Sequence, residues 1–293
     1  MIWVRRFFAH PVTHTVIAFV LFMVAYGLTG VAASANKAVR GTPLQLLIVL
    51  ACAALGIALY KWFQRKVEHR ADAEFATEGA GRELALGLAG GFVLFSCLTG
   101  IVALFGGIEI DGIGGFGQFW RVASMAVASG VFEELIFRGI LFRQIERAAG
   151  SWGALAVTSA FFGFAHIMNP GATWFAAVAI AFEAGILLGG AYMWTRRLWL
   201  AVGIHAAWNF TQGWVYSVPV SGGTAFEGLL VTRRHGPEWL TGGAFGLEAS
   251  AVALVVATAA GCAMLLMAAR AGRFVPPLWK RATIQPLAVQ TNE

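Results

Sequence analysis

The chain has 293 residues, 58% of them hydrophobic and 12% charged, with a formal net charge of +6. An average soluble domain is roughly 25% charged, and a soluble core has no place for apolar runs of about 20 residues that recur along the whole sequence. The composition excludes an ordinary soluble protein. It also gives no nucleic-acid signal, because the basic residues sit singly or in pairs between apolar runs, where they read as topology signals.

In chain order the apolar runs are Val12–Ala33, Pro43–Phe63, Leu84–Phe105, Ala123–Phe142, Trp152–Met168, Trp174–Trp194, Leu198–Tyr216 and Phe245–Ala269. They predict an all-α, polytopic membrane protein of about eight transmembrane helices, with the active site inside the helical bundle. Arg5-Arg6 before the first run and the small residues at its end resemble a signal peptide. A cleaved signal has an apolar stretch of roughly 7–15 residues, and this run is near 20, so an uncleaved first helix is expected.

With the N-terminus in the cytoplasm, the inside segments hold Arg5, Arg6, Lys61, Arg65, Lys66, Arg70, Arg82, Arg143, Arg147, Arg196, Arg197, Arg270, Arg273, Lys280 and Arg281, and the outside segments hold Lys37, Arg40, Arg233 and Arg234. That asymmetry supports the number of spans and cytoplasmic placement of both ends, and the basic, Gly-rich and signal-like features suggest a bacterial inner membrane. Between spans two and three, Lys61 to Arg82 reads as a solvated, charged helical connector. The outside segment 217–244 reads as a lid or a link, and Pro276-Pro277 with the tail after Lys280 as a short disordered end. Cys52, Cys97 and Cys262 lie in apolar runs without C-x-x-C spacing and are expected as free thiols. Three regions result: residues 1–119 with helices one to three, 120–216 as the core, and 217–293 with the outside loop, the last helix and the tail.

The chemistry concentrates in three runs. Phe-Glu-Glu-Leu-Ile-Phe-Arg-Gly, residues 132–139, places two acids and an arginine in an apolar helix. Each such charge costs at least about 2.5–3.5 kcal/mol at the helix centre and normally faces the protein interior. Glu134 and Arg138, at i and i+4, predict an ion pair, while Glu133 is turned about 100° away and is free to act as a general base. In the fifth span Phe162 and His166 share a face. In the seventh, His205 and Asn209 do the same, and both carry hydrogen-bond donors. Glu183, mid-way along the sixth span, is a further buried acid, either a hydrogen-bond partner of a catalytic histidine or a bond to a neighbouring helix.

Two chemistries fit these residues. In one, Glu133 and His166 activate a water while His205 and Asn209 stabilise an oxyanion, and no cofactor is required. In the other, Glu133, His166 and His205 are three ligands of a catalytic zinc. No His-Glu-x-x-His run is present, and an oxyanion role accounts for Asn209 directly, so the metal-free version is preferred.

Glu-Glu-x-x-x-Arg at 133–138, Phe-x-x-x-His at 162–166 and His-x-x-x-Asn at 205–209 together resemble the three ordered motifs of the CPBP family, which comprises type II CAAX prenyl endopeptidases and bacteriocin-processing Abi proteases. The resemblance spans roughly Trp120 to Phe210. It implies an intramembrane endopeptidase in which Glu133 is the essential acid, Glu134 and Arg138 support it, and His166, His205 and Asn209 complete the site. Its partners would be the lipid bilayer and a membrane-associated or lipidated protein or peptide substrate. The rival class is a non-catalytic immunity or scaffold protein, or an ion-coupled transporter, built on the same buried polar cavity.

Overall fold

The computed structural model describes residues 11–281. The first three apolar runs form α1 (Pro11–Ser34), α2 (Pro43–Lys66) and α3 (Ala80–Leu104). Pro43 opens α2 at a position whose N–H would have no helical partner, so the ring costs nothing there. α4 (Phe119–Glu134) runs without interruption into a π-helical segment, Leu135–Phe142, and on into α5 (Arg143–Ala165). Within α5, Gly150 has φ 75° and ψ 175°, so the helix breaks there and a new rod begins at Ser151. Only glycine fits: a Cβ at this site would lie 2.8 Å from both Pro277 N and Val275 O.

α6 (Trp174–Thr195) is capped by Thr173, whose hydroxyl accepts from Ala176 N at 3.0 Å. α7 (Trp199–Phe210) passes into a second π-helical segment, Thr211–Val215. A single-turn α8 (Glu238–Thr241) precedes α9 (Ala251–Arg270), which starts at the Ser250 cap, and a single-turn α10 (Leu278–Arg281) follows.

The protein is an all-α integral membrane protein, and five of its helices, α1, α2, α3, α6 and α9, are long and apolar enough to cross a membrane. Leu28, Leu55, Phe92 and Val255 on four of these helices point outward, as lipid-facing side chains do. The runs read as spans four and seven each end in a π-helical segment, and the run read as span five starts just after the break at Gly150. π-Helical turns recur at functional sites, and here each adjoins a motif.

Small residues bring the polar helices together. A Cβ at Gly91 of α3 would sit 2.4 Å from Ile204 O of α7, and one at Gly130 of α4 would sit 3.0 Å from the Ala206 Cβ and 3.1 Å from Val202 O. α4 and α7 therefore meet nearly backbone to backbone, which small residues alone permit. We expect Gly130→Val to force them apart at about 1–3 kcal/mol, read as a lower midpoint of thermal unfolding in detergent, with proteolysis lost.

Four expectations are corrected. The connector is not one solvated helix: the chain leaves α2 at Lys66 and re-enters a helix only at Ala80, and between them Glu74 and Phe75 are buried while His69, Thr77 and Glu78 stay exposed. Its charges are neutralised in place, with Glu68 against Arg143 at 2.7 Å and Lys61 against Asp72 at 2.9 Å. Segment 217–244 contributes a strand, β2 (Leu230–Arg234), that pairs antiparallel with β1 (Ile108–Ile113) in a two-stranded sheet with a bulge between Ile110 and Gly112. The last span begins at Ala251, because Leu247–Ala249 forms a 3-10 turn ahead of it. Around Pro276-Pro277 the chain is docked, Val275 N donating to the Ser151 hydroxyl at 2.9 Å and Val275 O accepting from Ser151 N at 2.9 Å. Arg5-Arg6 and the tail beyond Arg281 lie outside the described residues. Cys52, Cys97 and Cys262 are free thiols.

Candidate functional site

Glu134 is the hub of the buried charges. Its Oε1 accepts from Arg138 Nη1 at 2.9 Å and from His205 Nδ1 at 2.9 Å. Arg138 is 1% exposed and Glu134 0%, so both have given up their hydration entirely. The guanidinium compensates with a second set of acceptors on α6, donating to Ala184 O at 3.1 Å, and it lies over the Phe162 ring at 4.9 Å. The predicted i, i+4 pair thus holds five elements: α4, its π-helical extension, α5, α6 and α7.

Glu133, one residue earlier, points elsewhere. Its Oε1 accepts from the Tyr26 hydroxyl of α1 at 3.0 Å, and its Oε2 lies 3.8 Å from His205 Nε2. His205 is therefore held between two acids, with Nδ1 donating to the inner one and Nε2 turned towards the outer one. Such a partner fixes ring orientation and tautomer. Asn209, one turn on, donates through Nδ2 to the Ser129 hydroxyl at 2.9 Å. His166 caps the end of α5, where its Nδ1 donates to Phe162 O at 2.7 Å, leaving Nε2 as the ring's second functional atom.

Glu133, His166, His205 and Asn209 all line one cavity of about 710 Å³, together with Tyr26, Ser129, Asn169 and Ser221. Much of the remaining wall is apolar: Phe19 and Met23 of α1, Ile136 and Phe137 of the π-helical segment, and Phe161 and Phe164 of α5. Glu134 and Arg138 are not on the wall but behind His205. The predicted residues therefore separate into four that face the cavity and two that hold them in place. Val220, Ser221 and Gly223 bring the start of segment 217–244 to the cavity, tied to the end of α5 by Asn169 Nδ2 donating to Ser221 O at 3.0 Å.

Two wall residues that bond the predicted site residues went unread. Ser129 lies four positions before Glu133 on the same helix face, and that spacing was the available signal. Tyr26 had none, since its contact joins residues 107 positions apart and its neighbours in α1 are apolar. Glu183 makes no hydrogen bond to His166 or His205, and its Oε2 has no partner among the protein's own groups.

Among the described residues no three His, Cys, Asp or Glu side chains come together as a metal-holding group, whereas a catalytic zinc takes three protein ligands. His166 Nδ1 donates to a backbone carbonyl and His205 Nδ1 to Glu134, which leaves Nε2 of each ring turned to the cavity.

Residues 115–211 match the family model described as type II CAAX prenyl endopeptidase Rce1-like. They form an Rce1-like domain. This stretch is roughly a third of the chain, and it contains the two acids, Arg138, both histidines and Asn209. No curated protein and no solved structure matches the chain. The matched stretch resembles CAAX-type membrane endopeptidases and supplies, from α4 through α7, most of the cavity's polar wall; α1 and the loop at Ser221 close it from outside the matched stretch.

Proposed function

We propose that the protein is an intramembrane endopeptidase that hydrolyses a peptide bond in a membrane-associated or lipidated protein or peptide, with Glu133 as general base. The observation that carries this reading is the convergence of Glu133, His166, His205 and Asn209, from three separate helical segments of the Rce1-like domain, on one largely apolar cavity. A water held between Glu133 and the His166 Nε2 loses its proton to Glu133 and attacks the scissile carbonyl. The oxyanion that forms takes hydrogen bonds from His205 Nε2–H and Asn209 Nδ2–H, with the Glu134 carboxylate at His205 Nδ1 balancing the imidazolium charge while Glu133 holds the proton taken from water. On collapse the C–N bond breaks, and the proton on Glu133 passes to the leaving amine, which leaves a free carboxylate and a free amine.

The positions of the donors give a sharp expectation. Asn209→Ala removes one oxyanion donor and should lower kcat by roughly 10²–10³ with little change in KM; an unchanged kcat would take Asn209 out of the reaction. Ser129→Ala, which only releases the Asn209 carboxamide, should cost less than Asn209→Ala in the same assay.

The ion pairs Arg143–Glu68, Lys61–Asp72, Arg196–Glu146 and Arg197–Glu83 gather basic side chains at the end of the bundle opposite the β1–β2 sheet. We place that end in the cytoplasm, as expected of an inner-membrane protein. The test of the reading is cleavage of a membrane-anchored peptide by purified protein in nanodiscs, with metal content measured and a chelator present or absent. Activity that survives metal removal supports the Glu133–His166 water. Activity that vanishes with the metal and returns on zinc addition would replace it.

A further inference from the structure

Behind the catalytic face lies a second, smaller chamber of about 40 Å³ whose wall includes Glu183 of α6, Glu248 of the 3-10 turn, His166, His205, Asn209 and Ser221. Two acids here are unexpected. Glu183 is 2% exposed and Glu248 5%, and they are close enough for their charges to interact. Glu248 is held, its Oε1 accepting from Ser221 N. Glu183, which lines the chamber, is not: its Oε2 is enclosed and meets no protein donor. A buried polar atom left in that condition costs about 1–3 kcal/mol, more if charged, so a carboxyl in the middle of a membrane helix calls for a partner. A bound water needs roughly 10–15 Å³ and two to four polar neighbours, and the chamber meets both requirements with room for about two or three.

His166, His205, Asn209 and Ser221 border both spaces. We infer that the chamber is a water-binding site in which Glu183 and Glu248 hold ordered water against the rear of the catalytic residues, as the local supply for hydrolysis. This rests on the reading of the protein as a protease. The need is physical: a substrate in the large cavity covers its apolar wall with apolar surface and closes that side to bulk water, while each turnover consumes one water. Water held on the far side of His205 and Asn209 remains available when the front is occupied.

Two substitutions separate supply from fold. Glu183→Gln keeps a polar group able to bind water and should retain activity within about threefold, whereas Glu183→Leu removes it and should lower kcat about tenfold or more at nearly constant KM. Ala257→Val, on the α9 side of the chamber, fills the space without touching a polar group, and should lower kcat in the same way with an unchanged or raised unfolding midpoint. Equal kcat in wild type, Glu183→Leu and Ala257→Val would overturn the proposal.

A direct readout does not depend on activity. An experimental map of the wild-type protein that resolves solvent should show density bonded to the Glu183 and Glu248 carboxyls, and Ala257→Val should remove it. A dry chamber, or density with the short, many-oxygen coordination of a cation, would contradict a water site even in an active protease. Water density in a protein that cleaves nothing would instead sink the protease reading while leaving the site.

Discussion

Glu133→Gln should reduce peptide hydrolysis by roughly 10²–10⁴ while leaving the unfolding midpoint within a degree or two of wild type. The substitution keeps size and shape, and the amide can still accept from the Tyr26 hydroxyl that now bonds Glu133 Oε1 at 3.0 Å. What it removes is the capacity to take a proton from water. Glu133 is also the member of the acidic pair that lines the cavity, whereas Glu134 is fully enclosed, so structural damage should be small. A variant that folds and still cleaves would show that Glu133 is a cavity-wall residue only. A cellular phenotype that survives Glu133→Gln would favour the binding or scaffold class over catalysis.

The second large effect is opposite in kind. Arg138→Met should destabilise the protein by about 3–5 kcal/mol, because it leaves the Glu134 carboxylate in a site with no exposure and only His205 to answer it. The guanidinium's contacts with α4, α5 and α6, to Glu134, Phe162 and Ala184 O, are lost at the same time. Adding Glu134→Gln to Arg138→Met should restore part of the stability, since replacing both members of a buried pair is far less costly than stranding one. It should not restore activity, because His205 Nδ1 then faces a neutral amide in place of a carboxylate. Denaturation midpoints for the two single variants and the double variant, alongside kcat for each, test this. Additive losses in stability would show that Glu134 and Arg138 do not act as a pair.

The helical phases were the legible part of this site. Spacing of four residues identified Glu134 with Arg138, Phe162 with His166 and His205 with Asn209, because an α-helix stacks those positions on one face, and the first pair is bonded at 2.9 Å. The apolar runs gave the helices for an equally simple reason, the width of a bilayer. What could not be read is whatever depends on contacts across the chain. Tyr26 reaches Glu133 only because α1 folds against α4. The bond from Glu134 to His205 needs the close approach at Gly130, and a glycine among 36 carries no mark of which helix it will touch. The β1–β2 sheet had a faint signal in the alternation of Ile108 and Ile110, but its strands are short and far apart in sequence. The connector after α2 was read as solvated because it is charged. Its acids are instead matched to cations on it and on other segments, Glu68 to Arg143 and Asp72 to Lys61, and composition does not reveal such partners.

The most direct test of the central claim is product analysis. Purified wild-type protein and Glu133→Gln, both depleted of metal and reconstituted in nanodiscs, would be incubated with a membrane-anchored peptide and the fragments weighed. The account predicts paired fragments, one with a new carboxylate and one with a new amine, from the wild-type protein alone. Intact peptide with the wild-type protein, or the same fragments from Glu133→Gln, would contradict it.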